Sequence, residues 1–303
     1  MKRKIDFLDL GEQPLANYYL KRKQIKSRER KYRLIVSFDS ITKLVSIKKT
    51  FSSKMMFNDK YPYRSSMSKT MQKSFKVLSG IIKKEFKPKK ILEIGSNDGS
   101  FLKNFNKDKS IGIEPCANVE KITKKMKFNT IADYWGIDLA KKILKKFDKI
   151  DLIYSANTIS HIKNLDDVFK SINLVLSNEG VLIIEDPSLL ECLKRNTYDQ
   201  FYNEHIYVFS YIALENILKK HKLKIFRIEN LDIHGGSNRY FIKKSYSNRK
   251  IEKSVKKQKK KEIFYGLNKK ITFIKFSKRV QKSKDKLVSI FSKFKSQNKK
   301  IIG

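Results

Sequence analysis

Lys90-Ile91-Leu92-Glu93-Ile94-Gly95-Ser96-Asn97-Asp98-Gly99-Ser100-Phe101-Leu102 runs from an apolar stretch through a glycine turn into a helical period. It reads as strand, tight loop and helix. Gly95 and Gly99 lack a Cβ, so they permit positive φ and close approach of a ligand to the backbone. A helix opening there would present free N–H groups and a positive dipole end to the loop. Glu93 puts a carboxylate at the carboxyl end of the strand, where open α/β sheets bind ligands.

The glycine spacing departs from the dinucleotide G-x-G-x-x-G pattern. Ile111-Gly112-Ile113-Glu114-Pro115 supplies a second acid, about 20 residues beyond the loop and placed for ribose hydroxyls. An acid-x-Gly-x-x-x-Gly loop followed by that acid resembles the cofactor site of class I S-adenosylmethionine methyltransferases. The plainer alternative is any doubly wound nucleotide-binding domain.

Working outward, the pattern predicts three segments. Residues 1–68 form a small β module, with a hairpin expected at Tyr32–Phe38 and Leu44–Ile47, then the hydroxyl-rich Tyr61-Pro62-Tyr63-Arg64-Ser65-Ser66. Residues 69–245 form the α/β domain, entered by a helix at 69–85. Strands are expected near 90–94, 110–114, 128–131, 151–155, 181–185 and 223–229, with 238–242 as an added edge strand. Helices are expected near 98–106, 117–126, 137–147, 165–177 and 211–221. Residues 246–303 form a Lys-rich helical extension whose apolar residues recur at helical spacing (Ile271, Phe273, Ile274, Phe276, Val280, then Leu287, Val288, Phe291, Phe294). Packing on its own protein is the preferred reading of that face; a partner or an anionic membrane surface are the others.

Composition narrows the classes. Hydrophobic residues make up 40% of the 303, enough for a sizeable core. No run approaches the roughly 18 apolar residues of a membrane helix, and Met1–Leu10 lacks a signal-peptide core, so the expected compartment is the cytoplasm. Only two cysteines are present, too few for a disulfide framework or a four-thiolate zinc site. The net charge of +39 would ordinarily suggest nucleic acid. Here the lysines are spread through nearly every segment and arginine forks are few, so no specific nucleic-acid partner is expected.

Candidate chemistry lies in clusters. Asp151-Leu152-Ile153-Tyr154-Ser155-Ala156-Asn157 brings Asn157 to the cofactor side, and Asp133 is either an acceptor for an adenine amino group or a helix N-cap. Tyr202-Asn203-Glu204-His205 packs a phenol, a carboxylate and an imidazole together, suited to proton transfer near neutral pH. His161 follows the fourth strand, where a methyl acceptor must sit. His234-Gly235-Gly236-Ser237-Asn238-Arg239 offers glycines for close approach and an arginine for a phosphate or carboxylate. Three of the four histidines fall in such motifs; their spacing matches no zinc pattern.

These motifs occur in one order with Gly11-Glu12-Gln13-Pro14-Leu15-Ala16-Asn17 and Tyr61-x-Tyr63-x-Ser65-Ser66. Together they resemble the nucleotide-sugar C-methyltransferases, which methylate a ring carbon of keto-deoxysugars. The resemblance spans about residues 5–300. It implies a class I methyltransferase Rossmann-like sheet and S-adenosylmethionine as cofactor, held by Glu93, Gly95, Asn97, Asp98, Gly99, Glu114, Asp133 and Asn157. It implies His205 as base, with Tyr202 and Glu204 beside it, and His161 and Tyr63 holding the sugar or enolate oxygen. Tyr61, His234, Gly235, Gly236, Ser237 and Arg239 are the expected substrate contacts.

Two departures qualify the resemblance. The cysteines of the family's N-terminal zinc module are missing, so no metal is expected. The chain also stops at Lys299-Lys300-Ile301-Ile302-Gly303, where relatives enter a further α/β unit, so a partner chain supplying that unit is conceivable. The other functional readings are methylation of a different small molecule, and a catalytically degenerate fold binding a polyanion or a partner chain.

Overall fold

A computed structural model describes residues 3–302 apart from residues 25 and 28. Met1, Lys2 and Gly303, on which the leader and cut-strand readings partly rest, lie outside the described residues.

The chain opens with β1 (Lys4–Gln13), β2 (Tyr32–Asp39) and β3 (Val45–Ile47), paired antiparallel. A short α1 (Ser53–Met56) precedes α2 (Lys69–Glu85). The Ser68 side chain caps α2 by accepting from Met71 N, and Met71, Phe75, Leu78 and Ile82 bury one stripe, the helical spacing that drives such packing. Strand and helix then alternate: β4 (Ile91–Ile94), β5 (Ser110–Ile113), α3 (Ala117–Lys125), β6 (Asn129–Ile131), α4 (Ile137–Phe147), β7 (Ile150–Ala156), α5 (Leu165–Val175) and β8 (Leu176–Pro187). After α6 (Leu189–Arg195) come β9 (Tyr207–Val208), α7 (Tyr211–Lys220), β10 (Leu223–Leu231), β11 (Ser237–Lys244), α8 (Lys253–Tyr265) and α9 (Lys270–Ser296).

The main sheet has seven strands in the order β10-β11-β8-β7-β4-β5-β6. β4 to β8 are parallel, while β11 runs antiparallel to both β8 and β10. From β4 the chain winds out to β6, then returns to β7 on β4's other side. That reversal opens a crevice at the carboxyl end of β4, where doubly wound sheets bind ligands. This is the class I methyltransferase sheet that the resemblance implied. Apolar side chains of α4, α5 and α7 cover one face; Met71, Phe75, Leu78 and Ile82 of α2, with Phe101 and Leu102, cover the other.

Two local expectations are corrected. Residues 98–106 form short turns, with a 3-10 turn at Leu102–Asn104, in place of an α-helix. Asn104 Nδ2 donates to the carbonyls of Ser100 and Phe101, offering that backbone an alternative to helical bonding. The strand at 238–242 is internal: β11 lies between β8 and β10, and β10 is the edge. The C-terminal extension is two helices, broken at Gly266 in the left-handed region (φ 87°), a regular helix stop. Lys299–Ile302 have no regular secondary structure.

The extension packs on the rest of the chain. Glu262 of α8 is fully buried and accepts from the Tyr211 and Ile212 amides that open α7, capping one helix from another. In α9, Phe273 stacks on Phe38 at 4.3 Å and meets Phe7 at 5.1 Å. Beyond Val280 the apolar residues of α9 are exposed. Among the described residues no helix is long and apolar enough to cross a membrane.

Phe273 joins α9 to the N-terminal sheet through Phe38 and Phe7, with Phe276 also meeting Phe7. Phe273→Ala is expected to cost about 3–5 kcal/mol, read as a lower urea midpoint. A loss below about 1 kcal/mol would mean that the ring cluster fastens nothing.

Candidate functional site

The crevice at the end of β4 leads into one cavity of about 770 Å³. Its lining includes Tyr61, Tyr63, Glu93, Gly95, Asn97, Glu114, Asn157, His161, Tyr202, His205 and His234. Segments as distant as 61 and 234 thus converge on one space.

One end is built from loops at successive strand ends. Gly95 sits at φ 74°, and a Cβ there would meet Thr158 Oγ1 at 2.2 Å; only glycine fits both the backbone and the neighbour. Glu114 is held by two amides: its Oε2 accepts from Asn97 N at 2.9 Å and its Oε1 from Cys116 N at 2.8 Å. Burial nevertheless raises its carboxyl above the usual range. Glu93 is raised well above that range by burial, then by the charges of Asp98 and Glu114. Its buried Oε2 has no partner among the described residues, which fits a carboxylate waiting for a cationic or N–H-bearing ligand. Asn157 closes β7 at φ 48° and donates its amide to the Glu185 carbonyl at 2.8 Å.

The other end carries a different chemistry. His205 Nδ1 lies 2.8 Å from the Gln200 carbonyl, which can only accept, so Nδ1 carries the ring proton. Nε2 is left with its lone pair, 3.1 Å from the Tyr202 hydroxyl. Burial lowers His205 to about 4, opposed by the Gln200 bond and helped by His234, so the ring is neutral at pH 7. His161 packs 5.0 Å from His205 and stacks on Phe57 at 5.3 Å. Burial and then His205 hold His161 well below its ordinary range, and its buried Nε2 has no partner among the described residues. Glu204 is pushed up to about 7 by burial, opposed by hydrogen bonds from Asn17 and Tyr61.

Other sequence candidates stand outside the lining. Asp98 lies beneath the loop, accepting from Ser100 Oγ at 2.6 Å and Ser66 N at 3.0 Å. Gly99 packs toward Thr123. Glu204 is buried behind the cavity wall, where Asn17 Nδ2 reaches it at 2.9 Å. Asp133 accepts from Tyr134 N at 2.8 Å, and the N-cap of α4 is Gly136, so the capping reading is corrected. In the glycine-rich motif only His234 lines the cavity. Gly235 and Gly236 pack toward Thr197 and Glu191, and Ser237 Oγ donates to the Ile233 carbonyl. Arg239 is 3% exposed, with Glu185 and Glu229 each at 2.8 Å; its charge is satisfied inside the sheet.

Sequence reasoning missed several lining residues: Asn17, Tyr134, Trp135, Thr158, Lys163 and Gln200. Tyr134 and Trp135 lie three and four residues past the end of β6, and Trp135 is the chain's single tryptophan. An aromatic pair just past a strand's carboxyl end was the signal available. Among the described residues there is no group of three or more His, Cys, Asp or Glu able to hold a metal.

Residues 63–227 match the methyltransferase domain family, and the chain belongs to it, as an S-adenosylmethionine-dependent methyltransferase. Residues 232–303 match the C-methyltransferase C-terminal domain. It is 25% identical over 167 residues to the C-methyltransferase NovU of Streptomyces niveus, an alignment covering 54% of this chain. The chain spans 40% of that relative's length. Among solved structures, a Pyrococcus horikoshii protein aligns at a TM-score of 0.46 and 17% identity, covering 60% of this chain and 94% of the other. An S-adenosylmethionine-dependent methyltransferase of Clostridium acetobutylicum aligns at 0.43 and 15%, covering 59% and 93%.

Gly95→Ala is expected to destabilise the protein by at least about 1–2 kcal/mol, the cost of a left-handed L residue, and to weaken S-adenosylhomocysteine binding in a calorimetric titration. Unchanged affinity would remove Gly95 from the cofactor site.

Glu204 makes a second prediction. Its folded pKa of about 7 lies above the ordinary 4.5, so its stabilising contribution is complete below pH 4.5 and is lost as pH rises through 7. Glu204→Gln should therefore gain on the parent protein across that window, by up to about 3 kcal/mol at pH 8. Urea melts from pH 4 to 8 check this; a gap that does not widen with pH refutes it.

Proposed function

We propose that this protein is a cytoplasmic C-methyltransferase acting on a nucleotide-linked keto-deoxysugar, in the making of a surface polysaccharide or glycosylated metabolite. The observation that carries the reading is the state of His205: a neutral imidazole, its proton fixed on Nδ1 by the Gln200 carbonyl. Its unprotonated Nε2, which meets the Tyr202 hydroxyl, belongs to a residue sharing one cavity with the cofactor loop.

Carbon methylation needs an acceptor carbon made nucleophilic, and a proton next to a ketone is the kind a neutral imidazole can take. His205 Nε2 removes that proton, and the electron pair moves through the α carbon to leave an enolate. His161 and the Tyr63 hydroxyl lie on the acceptor side, suited to meeting the developing oxyanion. Tyr202 keeps Nε2 in place until the substrate displaces its hydroxyl. S-adenosylmethionine supplies the methyl group. Glu93, the turn at Gly95 and Asn97, Glu114 and Asn157 are the residues that would hold it, and the unpartnered Glu93 Oε2 fits its amino group. Tyr61 and His234 complete the acceptor wall.

The test is a panel of nucleotide-linked keto sugars with S-adenosylmethionine, read by methyl transfer and by exchange of the α proton in heavy water. His205→Asn is expected to lower both by at least about a hundredfold while S-adenosylhomocysteine affinity stays nearly unchanged. Proton exchange at the parent rate in that variant would show that the base is another group. Cofactor binding without turnover of any sugar would reject the chain as a self-sufficient sugar methyltransferase and point to a partner chain supplying a further unit.

A further inference from the structure

We propose that the cofactor loop and the segment Tyr61–Ser66 form one hydrogen-bonded unit, so that cofactor binding orders the acceptor wall. This makes Asn97, Asp98 and Asn118 positioning residues for Tyr61 and Tyr63. The proposal rests on the reading that these tyrosines face the acceptor.

The segment is a strap of backbone laid over the loop, and most of its fastenings come from the loop's side. Asn97 uses both ends of its amide: Oδ1 accepts from Ser65 N at 2.9 Å, and Nδ2 donates to the Tyr63 carbonyl at 3.2 Å. Asp98 Oδ2 accepts from Ser66 N at 3.0 Å. Asn118, just inside α3, donates to the Tyr61 carbonyl at 3.0 Å. Arg64 closes the strap on itself, donating to the carbonyls of Tyr61 and Tyr63 at 2.8 Å each.

Asn97 can do this because it sits at φ 46°, a left-handed conformation asparagine tolerates better than most residues. Its own amide is held by Glu114, placed to meet the cofactor ribose. One residue therefore joins the ribose acid to the strap. A cofactor that fixes Glu114 and the loop fixes Asn97, and through it the backbone of Tyr63 and Ser65. Asp98 and Asn118 stand outside the cavity lining, so their bonds to the strap are separable from ligand contact. The strap also reaches the catalytic side: Tyr61 packs on Phe57 at 5.3 Å, and Phe57 stacks on His161.

Linkage of this kind is reciprocal and typically amounts to about 5–150-fold. It can be read without any acceptor, from amide hydrogen exchange in the strap with and without saturating S-adenosylhomocysteine. In the parent protein the cofactor product is expected to slow exchange across residues 61–67 by at least about fivefold. Asp98→Ala removes the bond to Ser66 N and Asn118→Ala the bond to the Tyr61 carbonyl, and both residues lie outside the cavity lining. Each is expected to abolish most of that protection while S-adenosylhomocysteine still raises Tm.

Strap exchange insensitive to S-adenosylhomocysteine in the parent overturns the proposal. So does full protection retained in both variants. None of these outcomes depends on the keto-sugar panel, so the acceptor reading and the strap can fail separately.

Discussion

Glu114 accepts backbone hydrogens from two loops at once, the one leaving β4 and the one leaving β5. A carboxylate between two amides fixes the relative height of those loops, and with it the shape of the crevice between them. Sheet topology alone produces a reversal at β4; it says nothing of how far apart the loop tips stand. The double acceptor sets that distance. Glycine supports it from below: at Gly112 a Cβ would meet Ser96 Oγ at 2.6 Å, so any larger residue would push the β4 loop away from the acid that anchors it.

Two buried charges of the frame are answered from other elements. Arg239 on β11 meets Glu185 on β8 and Glu229 on β10, stitching the antiparallel strands to the parallel ones. Glu262 caps α7 from α8. Removing one member of such a set leaves a charge uncompensated in the interior, which costs more than the pair contributes. Around the cavity the pattern reverses. Glu93 Oε2, His161 Nε2 and Glu204 Oε2 are buried with no partner among the described residues.

The parts legible in the sequence are those whose cause is local. The 69–85 helix follows from apolar spacing and a serine cap; the β4 loop follows from glycines and acids at fixed offsets. The missed parts depend on contacts that spacing does not contain. The helix expected at 98–106 gives way because Asn104 satisfies the carbonyls a helix would use. Strand 237–244 reads as an edge because its insertion between β8 and β10 is a matter of register between distant segments. Arg239 looks like a ligand residue until its acids, 54 and 10 positions away, are seen. Cavity histidines were recognisable because they are scarce, while Gln200 had no such signal.

The small N-terminal sheet takes its fourth strand from the other end of the methyltransferase core: Val45 and Ser46 pair with Val208 and Tyr207, and Ile47 N donates to the Ile206 carbonyl. Asn203 Nδ2 reaches the Pro14 carbonyl at 2.8 Å, and Asn17 reaches Glu204. The turn bearing His205 is therefore folded into the N-terminal sheet as much as into the core. In evolutionary terms, the unit of exchange is not the contiguous first segment. A recombination that replaced residues 1–68 alone would deliver a sheet without its last strand and the His205 turn without its floor. The N-terminal segment and the stretch from 200 to 208 must travel, or co-vary, together.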